Sequence, residues 1–227
     1  MDCVTGPVPR LSGRRPAAAP LELLTGARDL ARNEIHLEQE DTVARLPIAT
    51  RESVPEDQRD VFDEMVQRLG SVPRYGPGSV MIHVPLAHRW ATGLNDYLRN
   101  ESSLPKKTQE LAMLVTAREL DCQHIWNAHA GSARTAGVPD GLVDALRDKK
   151  ELVALAPDEA AVANYGREFF RTHRVSRGAF QAAEEQFGAR GVVELTLIMG
   201  NYSLLAFAVN AFDTDLLPNR TEPLLPI

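Results

Sequence analysis

Hydrophobic residues recur with helical periodicity along most of the chain beyond residue 46, and no segment alternates polar and β-branched positions as a half-buried strand would. Apolar stripes with spacings of three and four residues predict an all-α domain of packed helices. The helices predicted from this pattern span residues 53–69, 85–98, 104–120, 121–137, 141–147, 158–172, 176–187 and 191–212.

Glycine, proline and helix-capping residues separate the predicted helices. The S-V-P-E segment at 53–56 has the spacing of a capping box, and the Gly- and Pro-rich segment 71–79 predicts a loop. We divide the chain into an N-terminal extension over 1–45, a helical domain over 46–217 and a C-terminal tail over 218–227. Within the extension, the first 20 or so residues are expected to be disordered, and 21–32 form one weak helical stretch.

Composition and charge restrict the classes of partner. The formal net charge of −6, with charges of both signs interspersed, gives no basic footprint for nucleic acid. The long apolar stretch from Val192 to Phe212 is interrupted by Glu194, Asn201 and Asn210, which favours a core helix over a membrane span. Hence neither nucleic acid nor a membrane is an expected partner.

Cysteine usage points to a reducing compartment. Cys3 and Cys122 are too far apart in sequence to form a disulfide framework. The N-terminus has basic residues but no apolar segment typical of a secretory signal. We therefore expect a cytoplasmic protein.

One carboxylate stands out on an apolar helix. Glu110, Met113, Leu114 and Ala117 share one face of the helix over 104–120, and other faces of this helix are apolar as well. A helix of this kind is well buried, so Glu110 must be paired, hydrogen-bonded or protonated.

The next helix begins with the segment D-C-Q-H-I-W-N-A-H. Cys122, Ile125, Trp126 and His129 share one face, whereas His124 lies further round. If Asp121 caps this helix, the helix dipole favours the thiolate of Cys122. His129 lies two turns on, about 10 Å along the axis, too far for direct contact with the thiol.

Structural roles compete with this functional interpretation. A buried cysteine commonly acts as a small hydrophobic residue, and a histidine on an apolar face commonly belongs to the core. No metal site is expected, because His124 and His129 are five residues apart and converge poorly on one ion.

The residues over 110–139 resemble the carboxymuconolactone decarboxylase and alkylhydroperoxidase D superfamily. The likeness extends to the helix at 81–98 and to the closing helix at 191–212, and so covers about residues 50–217. It implies an all-α fold of packed helical hairpins, assembled as a trimer or hexamer. It also implies sites near subunit interfaces and no organic cofactor.

The peroxidase branch of this superfamily implies a thiol reaction. Its motif is a Glu, a C-x-x-C beginning twelve residues later, and a His four residues after the second Cys. Glu110, Cys122 and His129 match, but Ile125 replaces the second Cys, and His124 stands where an aromatic hydroxyl is frequent. Without a second thiol in the motif, a one-cysteine peroxidase needs an external thiol to reduce its sulfenic acid.

The decarboxylase branch implies histidine chemistry at the same place. Its H-E-x-x-x-H segment matches His124 and His129, with Ile125 in place of the Glu. Carbon protonation during loss of carbon dioxide needs a general acid, together with a cationic clamp for the carboxylate. Arg118 and Arg74 are the candidates for that clamp.

Our favoured hypothesis is a cofactor-free lyase that acts on a small carboxylated or lactone-like compound. His129 and His124 act as acid and base, Glu110 orients His129 or tunes its acidity, and Cys122 lines the pocket. The remaining residues expected to contact the substrate are Trp126, Tyr202 and Asn201. The alternatives are a thiol-dependent peroxidase with Cys122 as peroxidatic residue, and a non-catalytic oligomeric binding protein.

Overall fold

Eight α-helices make up most of the part of the chain that the computed structural model describes, residues 42–43 and 45–227. Two short strands, β1 (Thr42–Val43) and β2 (Leu46–Pro47), and one 3₁₀ turn, Glu56–Gln58, precede them. The predicted disorder of the first 20 residues and the weak helix over 21–32 lie outside the described residues. The helices are α1 Arg59–Leu69, α2 Gly76–Met81, α3 Pro85–Asn100, α4 Lys106–Glu119, α5 Gln123–Thr135, α6 Asp140–Arg147, α7 Pro157–Thr172 and α8 Arg177–Phe212.

The only described β-structure is a two-stranded antiparallel pair formed by β1 (Thr42–Val43) and β2 (Leu46–Pro47). Thr42 pairs with Pro47 and Val43 with Leu46. The turn between the strands is fixed to the end of α8, because the backbone N–H of Arg45 donates to the carbonyl oxygen of Phe212 at 3.2 Å. The prediction of an all-α fold is confirmed.

Two local predictions are wrong. The capping box over 53–56 does not form: Ser53 Oγ accepts from the backbone N–H of Thr50 at 2.8 Å, and α1 begins at Arg59. The predicted loop over 71–79 contains the start of α2, which the sequence analysis missed. Pro77 lies in its first turn, where the fixed backbone angle of proline suits a helix.

Helix α4 is the central element of the core. It packs against α5, α6, α7 and α8, and every residue from Thr108 to Arg118 is buried. Gly166 of α7 lets that helix come close, because a Cβ there would lie 2.8 Å from side-chain atoms of Val115 and Met199. The enclosure of α4 means that its polar side chains must find partners inside the protein.

Helix α8 corresponds to two predicted helices joined at Gly188, whose φ of 65° and ψ of 173° interrupt the helical backbone. By length and composition α8 could cross a membrane, but 56% of its most apolar window is buried inside the protein. That burial is typical of the core helix of a soluble protein. The C-terminal residues 218–227 also pack on the helices, since Leu225 is buried with the main core.

A buried carboxylate fastens α8 to the turn between α3 and α4. Glu194 accepts hydrogen bonds from Tyr97 Oη at 2.9 Å, from the backbone N–H of Ser103 at 2.8 Å and from Arg190 Nε at 2.9 Å. The hydroxyls of Ser102 and Ser103 also donate to it. Burial alone would raise the pKa of this carboxyl, but these donors outweigh burial and lower it to about 2.

We predict that Glu194→Gln destabilises the protein at pH 7 by on the order of 2 to 3 kcal/mol, because an unfolded glutamate has a pKa near 4.5. The depressed pKa makes the carboxylate stabilising above pH 4.5, and this contribution is lost as the pH falls toward 2. Urea unfolding of wild type and variant should therefore show a stability gap that narrows on acidification. The control is Glu185→Gln, because Glu185 is exposed on the same helix. If Glu194→Gln lowered the free energy of unfolding equally at pH 7 and pH 3, the lowered pKa of Glu194 would be contradicted.

Candidate active site

The centre of the candidate site is a buried hydrogen bond between α4 and α5. Glu110 Oε2 lies 2.8 Å from His129 Nδ1, and both side chains are buried. Because one ring nitrogen is held by the carboxylate, Nε2 of His129 is left for proton exchange. The structure thus brings together two of the four residues that the sequence analysis named as catalytic.

Two further side chains from α3 and α8 surround this pair. A terminal nitrogen of Arg99 lies 3.9 Å from Glu110 Oε1. The ring of Tyr202 packs edge-on against His129 with 5.1 Å between ring centroids. Burial raises the pKa of Tyr202 to about 12, although its hydrogen bond with Arg99 opposes the shift. Tyr202 therefore stays a neutral hydrogen-bonding group at physiological pH.

Glu110 lines an open pocket of about 620 Å³ between α4 and α5, which we call the α4–α5 pocket. Lys106, one turn before Glu110 on α4, lines it too and donates to the carbonyl oxygen of Arg99. The chain after α8, residues 213–227, is called the C-terminal segment, and its Thr221 forms part of the pocket wall. Thus Glu110 lines the pocket, whereas its partner His129 is not among the lining residues.

Cys122 has a different environment. It is the N-cap of α5, a place that the sequence analysis gave to Asp121, whose φ of 49° instead makes the turn before the helix. The thiol is fully buried, and burial raises its pKa, although the backbone N–H groups of Ile125 and His124 oppose the shift. The dipole effect expected from the sequence is therefore outweighed by desolvation.

His124 does not line the α4–α5 pocket with Glu110. It lines a second pocket with residues of the C-terminal segment, including Asp213 and Ile227. Its ring lies so close to Gly76 that a Cβ there would fall 2.4 Å from Nε2. Burial lowers the pKa of His124, and a hydrogen bond with the backbone of Asp215 opposes the shift. The two histidines expected to form an acid–base pair therefore have different environments.

The other expected pocket residues belong mainly to the core. Trp126 is fully buried, and its Nε1 has no hydrogen-bond partner among the described residues. Asn201 donates to Asn95 Oδ1 at 3.2 Å, which links α8 to α3. Of the three, only Tyr202 touches the candidate catalytic pair.

The cationic groups near the pair are not the two arginines named from the sequence. Arg118 is fully buried and donates to the carbonyl oxygens of Arg147 at 2.8 Å and Pro226 at 3.3 Å, so it holds the C-terminal segment. Arg74 precedes α2 and does not line the α4–α5 pocket. Arg99 and Lys106 take this place. The spacing of four residues between Lys106 and Glu110 could have identified the lysine, but Arg99 comes from another helix.

No group of three or more His, Cys, Asp or Glu side chains within the described residues could hold a metal ion. The groups that the helices bring to the site are one carboxylate, one imidazole, one guanidinium and one ammonium group, together with the phenol of Tyr202. Such a set can move protons and pair with an anion.

Part of the chain matches a known protein family. Residues 85–168, from α3 into α7, match the model of the carboxymuconolactone decarboxylase family. A comparison with curated proteins found no match.

Solved structures with the same fold are distant in sequence. A peroxidase-related protein with an alkylhydroperoxidase AhpD core, from Ralstonia eutropha JMP134, aligns with a TM-score of 0.60 and 18% identity over 78% of this chain and 93% of its own. A peroxidase-related protein from Silicibacter sp. TM1040 aligns with a TM-score of 0.59 and 16% identity. The alignment covers 80% of this chain and 95% of the other.

A third solved structure with this fold is that of a debrominase. The debrominase Bmp8, as a variant in complex with 2,3,4-tribromopyrrole, gives a TM-score of 0.53 and 15% identity over 75% of this chain and 90% of its own. At these identities the likeness shows the fold alone. Residues 85–168 therefore match the carboxymuconolactone decarboxylase family, and the described chain has the helical fold that AhpD-like proteins share.

Proposed function

We propose that this protein is a cofactor-free lyase that removes carbon dioxide from a small carboxylated, lactone-like compound. The observation that carries the proposal is the 2.8 Å hydrogen bond between Glu110 and His129 at the α4–α5 pocket, with Arg99 and Lys106 beside it. Decarboxylation of an acid needs a group that donates a proton to carbon and cationic groups that bind the carboxylate, and this site has both.

The charges around the pocket favour an anionic substrate. Arg99 and Lys106 contribute two positive charges, whereas the Glu110–His129 pair has no net charge when it holds the proton that it donates. This surplus occurs in a chain whose formal net charge is −6, so the pocket differs in sign from the molecule as a whole. A substrate carboxylate can pair with Arg99 or Lys106 while its ring occupies the pocket.

The reaction needs one bond to break and one to form. The carbon–carbon bond to the carboxylate breaks, and its electron pair stays on the ring carbon, stabilised by conjugation with the lactone carbonyl. Carbon dioxide leaves, and the carbon takes a proton from the Glu110–His129 pair, in which Glu110 faces the pocket. The pair regains its proton from solvent, so no oxidant or reductant is required.

The lyase proposal predicts that His129→Ala and Glu110→Gln each lower kcat by at least about a hundredfold, since both break the proton-transfer pair. Carbon dioxide release from carboxymuconolactone and related lactone acids is the measurement. Arg99→Gln should act mainly on binding and raise KM by roughly tenfold. His83→Ala, outside the pocket, should keep the wild-type rate. Full activity in His129→Ala would sink the proposal.

A one-cysteine peroxidase is the second candidate, and one contact favours it. The thiol of Cys122 lies at the start of α5, where the backbone N–H groups of Ile125 and His124 point at it. Its complete burial and raised pKa oppose this function, because the nucleophile would be the thiolate. Ile125, also buried, supplies no resolving thiol.

We therefore predict that hydroperoxide consumption with dithiothreitol is the same for wild type and Cys122→Ser. Cys3→Ser is the matched control for the other cysteine. If consumption disappears in Cys122→Ser but persists in Cys3→Ser, the protein is a peroxidase and the lyase proposal fails. If neither carbon dioxide release nor peroxide consumption occurs, a non-catalytic binding protein replaces both.

We further propose that the protein is cytoplasmic and forms a homo-oligomer. Helix α8 exposes Val193, Leu197, Leu204 and Phe207 on one face, and α3, which packs against α8, exposes Trp90. Trp90 and Phe207 are 72% and 78% exposed, which is unfavourable for large apolar side chains on a monomer in water. A second copy of the chain is the occupant that the trimeric or hexameric family resemblance suggests.

The oligomer proposal predicts that Leu204→Glu combined with Phe207→Glu reduces the molar mass measured by light scattering to that of one 25.0 kDa chain. The reason is that a buried, unpaired carboxylate is costly at an apolar contact. Val153→Glu, at an equally exposed apolar residue away from α8, should leave the mass unchanged. A monomeric wild type would contradict the proposal.

A further inference from the structure

The exposed face of α8 carries a narrow stripe of apolar side chains with a glycine at its centre. Val193, Leu197, Leu204 and Phe207 are 41 to 78% exposed, and Gly200 between them is exposed as well. At about 100° per residue, these five positions fall within an arc of roughly 80° and extend about 21 Å along the helix. No charged residue is exposed on α8 between residues 191 and 212. We call these five residues the α8 stripe.

Two glycines in the middle of helices leave space that the chain itself does not fill. A Cβ at Gly200, or at Gly93 of α3, would meet nothing within 4 Å, and both glycines are exposed. The other described glycines with such open space either have a positive φ or are the second residue of a helix. A glycine inside a helix costs roughly 1 kcal/mol relative to alanine, and no contact within the chain offsets that cost at these two positions.

The two open glycines lie close to each other on one surface. Asn201, which follows Gly200, donates to Asn95, two residues after Gly93. The glycines are therefore within about one helical turn of each other in height on two packed helices. Trp90, one turn before Gly93, is 72% exposed. A low floor between apolar side chains suits a close helix crossing, because the distance between two helix axes depends on the side chains at the contact.

The order of residues along the α8 stripe is nearly palindromic about Gly200. Leu197 lies three residues before the glycine and Leu204 four residues after it, while Val193 and Phe207 lie seven residues before and after. A second α8 that crosses at Gly200 in the opposite direction sets leucine against leucine and valine against phenylalanine. A parallel crossing would set the two large phenylalanines together and leave the two valines with a gap. Even packing therefore favours the antiparallel crossing.

We infer that α8 of a second copy of the chain crosses α8 antiparallel at Gly200, so that a two-fold axis relating the two copies passes beside this glycine. The inference rests on the homo-oligomer proposed above and adds the register and the symmetry of the contact. In a two-fold contact each pair of residues occurs twice, so Leu197 of each copy meets the partner's Leu204. A ring built on a three-fold axis alone does not contain this contact.

Disulfide cross-linking of the full chain tests the register. Leu197→Cys and Leu204→Cys are made separately in a Cys3→Ser background, since Cys122 is buried in the core. A disulfide forms between Cα atoms about 5.5 to 6 Å apart. When the two variants are co-expressed, mild oxidation should produce a cross-linked dimer on a non-reducing gel. Each variant expressed alone should stay uncross-linked, and these two samples are the controls.

A larger side chain at the crossing point tests the position of the axis. Gly200→Leu should halve the molar mass measured by light scattering, because a leucine side chain does not fit where the two helices approach most closely. Gly178→Leu is the matched control, since Gly178 is also exposed and open on α8 but lies outside the α8 stripe. That variant should keep the wild-type mass. Circular dichroism should show no loss of helix in either, because leucine favours helix more than glycine does.

Several results would overturn the inference. Cross-linking of either cysteine variant alone would indicate a parallel crossing, and absence of cross-linking in the mixture would exclude the antiparallel register. A wild-type mass in Gly200→Leu would locate the contact elsewhere. If the wild type is oligomeric, these results leave the proposed homo-oligomer intact. A monomeric wild type would contradict both proposals, and binding of that monomer to phosphatidylcholine vesicles would assign the α8 stripe to a lipid surface.

Discussion

Helix α4 is surrounded by α5, α6, α7 and α8, and this enclosure governs the polar chemistry of the protein. A charged side chain without water must find a partner within the protein, and the buried charged residues Glu110 and Arg118 of α4 have partners. Glu110 is paired with His129, Gln109 with the carbonyl oxygen of Leu104, and Arg118 with the C-terminal segment. The same constraint that stabilises the core thus holds a carboxylate and an imidazole together at the edge of a pocket.

The side chains of α5 meet different environments because they point in different directions around the helix axis. His129 faces α4 and Glu110, whereas His124 faces the C-terminal segment and Gly76. Cys122 ends the turn before the helix and is enclosed by the core. Removal from water disfavours the thiolate more than the nearby backbone N–H groups favour it. Burial, rather than the helix dipole, therefore decides which residue of this helix is suited to proton transfer.

The C-terminal segment connects the candidate site to the rest of the fold. The side-chain amide of Gln123 makes two hydrogen bonds with the backbone of Leu225, at 2.7 and 2.8 Å, and Arg134 Nε lies 3.3 Å from Glu222. These contacts lie at the two ends of α5 and hold the C-terminal segment against this helix, next to Thr221, which lines the α4–α5 pocket. Positioning of His129 therefore depends on residues that follow α8 as well as on α4.

The sequence by itself determined the helical fold and the burial of Glu110, because periodicity records which faces avoid water. It also identified His129, although the pairing of this residue with Glu110 came from the family resemblance. Three features were decided only by the tertiary structure: Arg99 beside Glu110, the placement of His124 at a different pocket from Glu110, and the burial that raises the pKa of Cys122. Each depends on how separate helices approach one another, and such contacts over long sequence distances leave no periodic signal in the chain. The helix at 76–81 was missed for a local reason, since Gly and Pro there indicate a turn until packing stabilises the helical alternative.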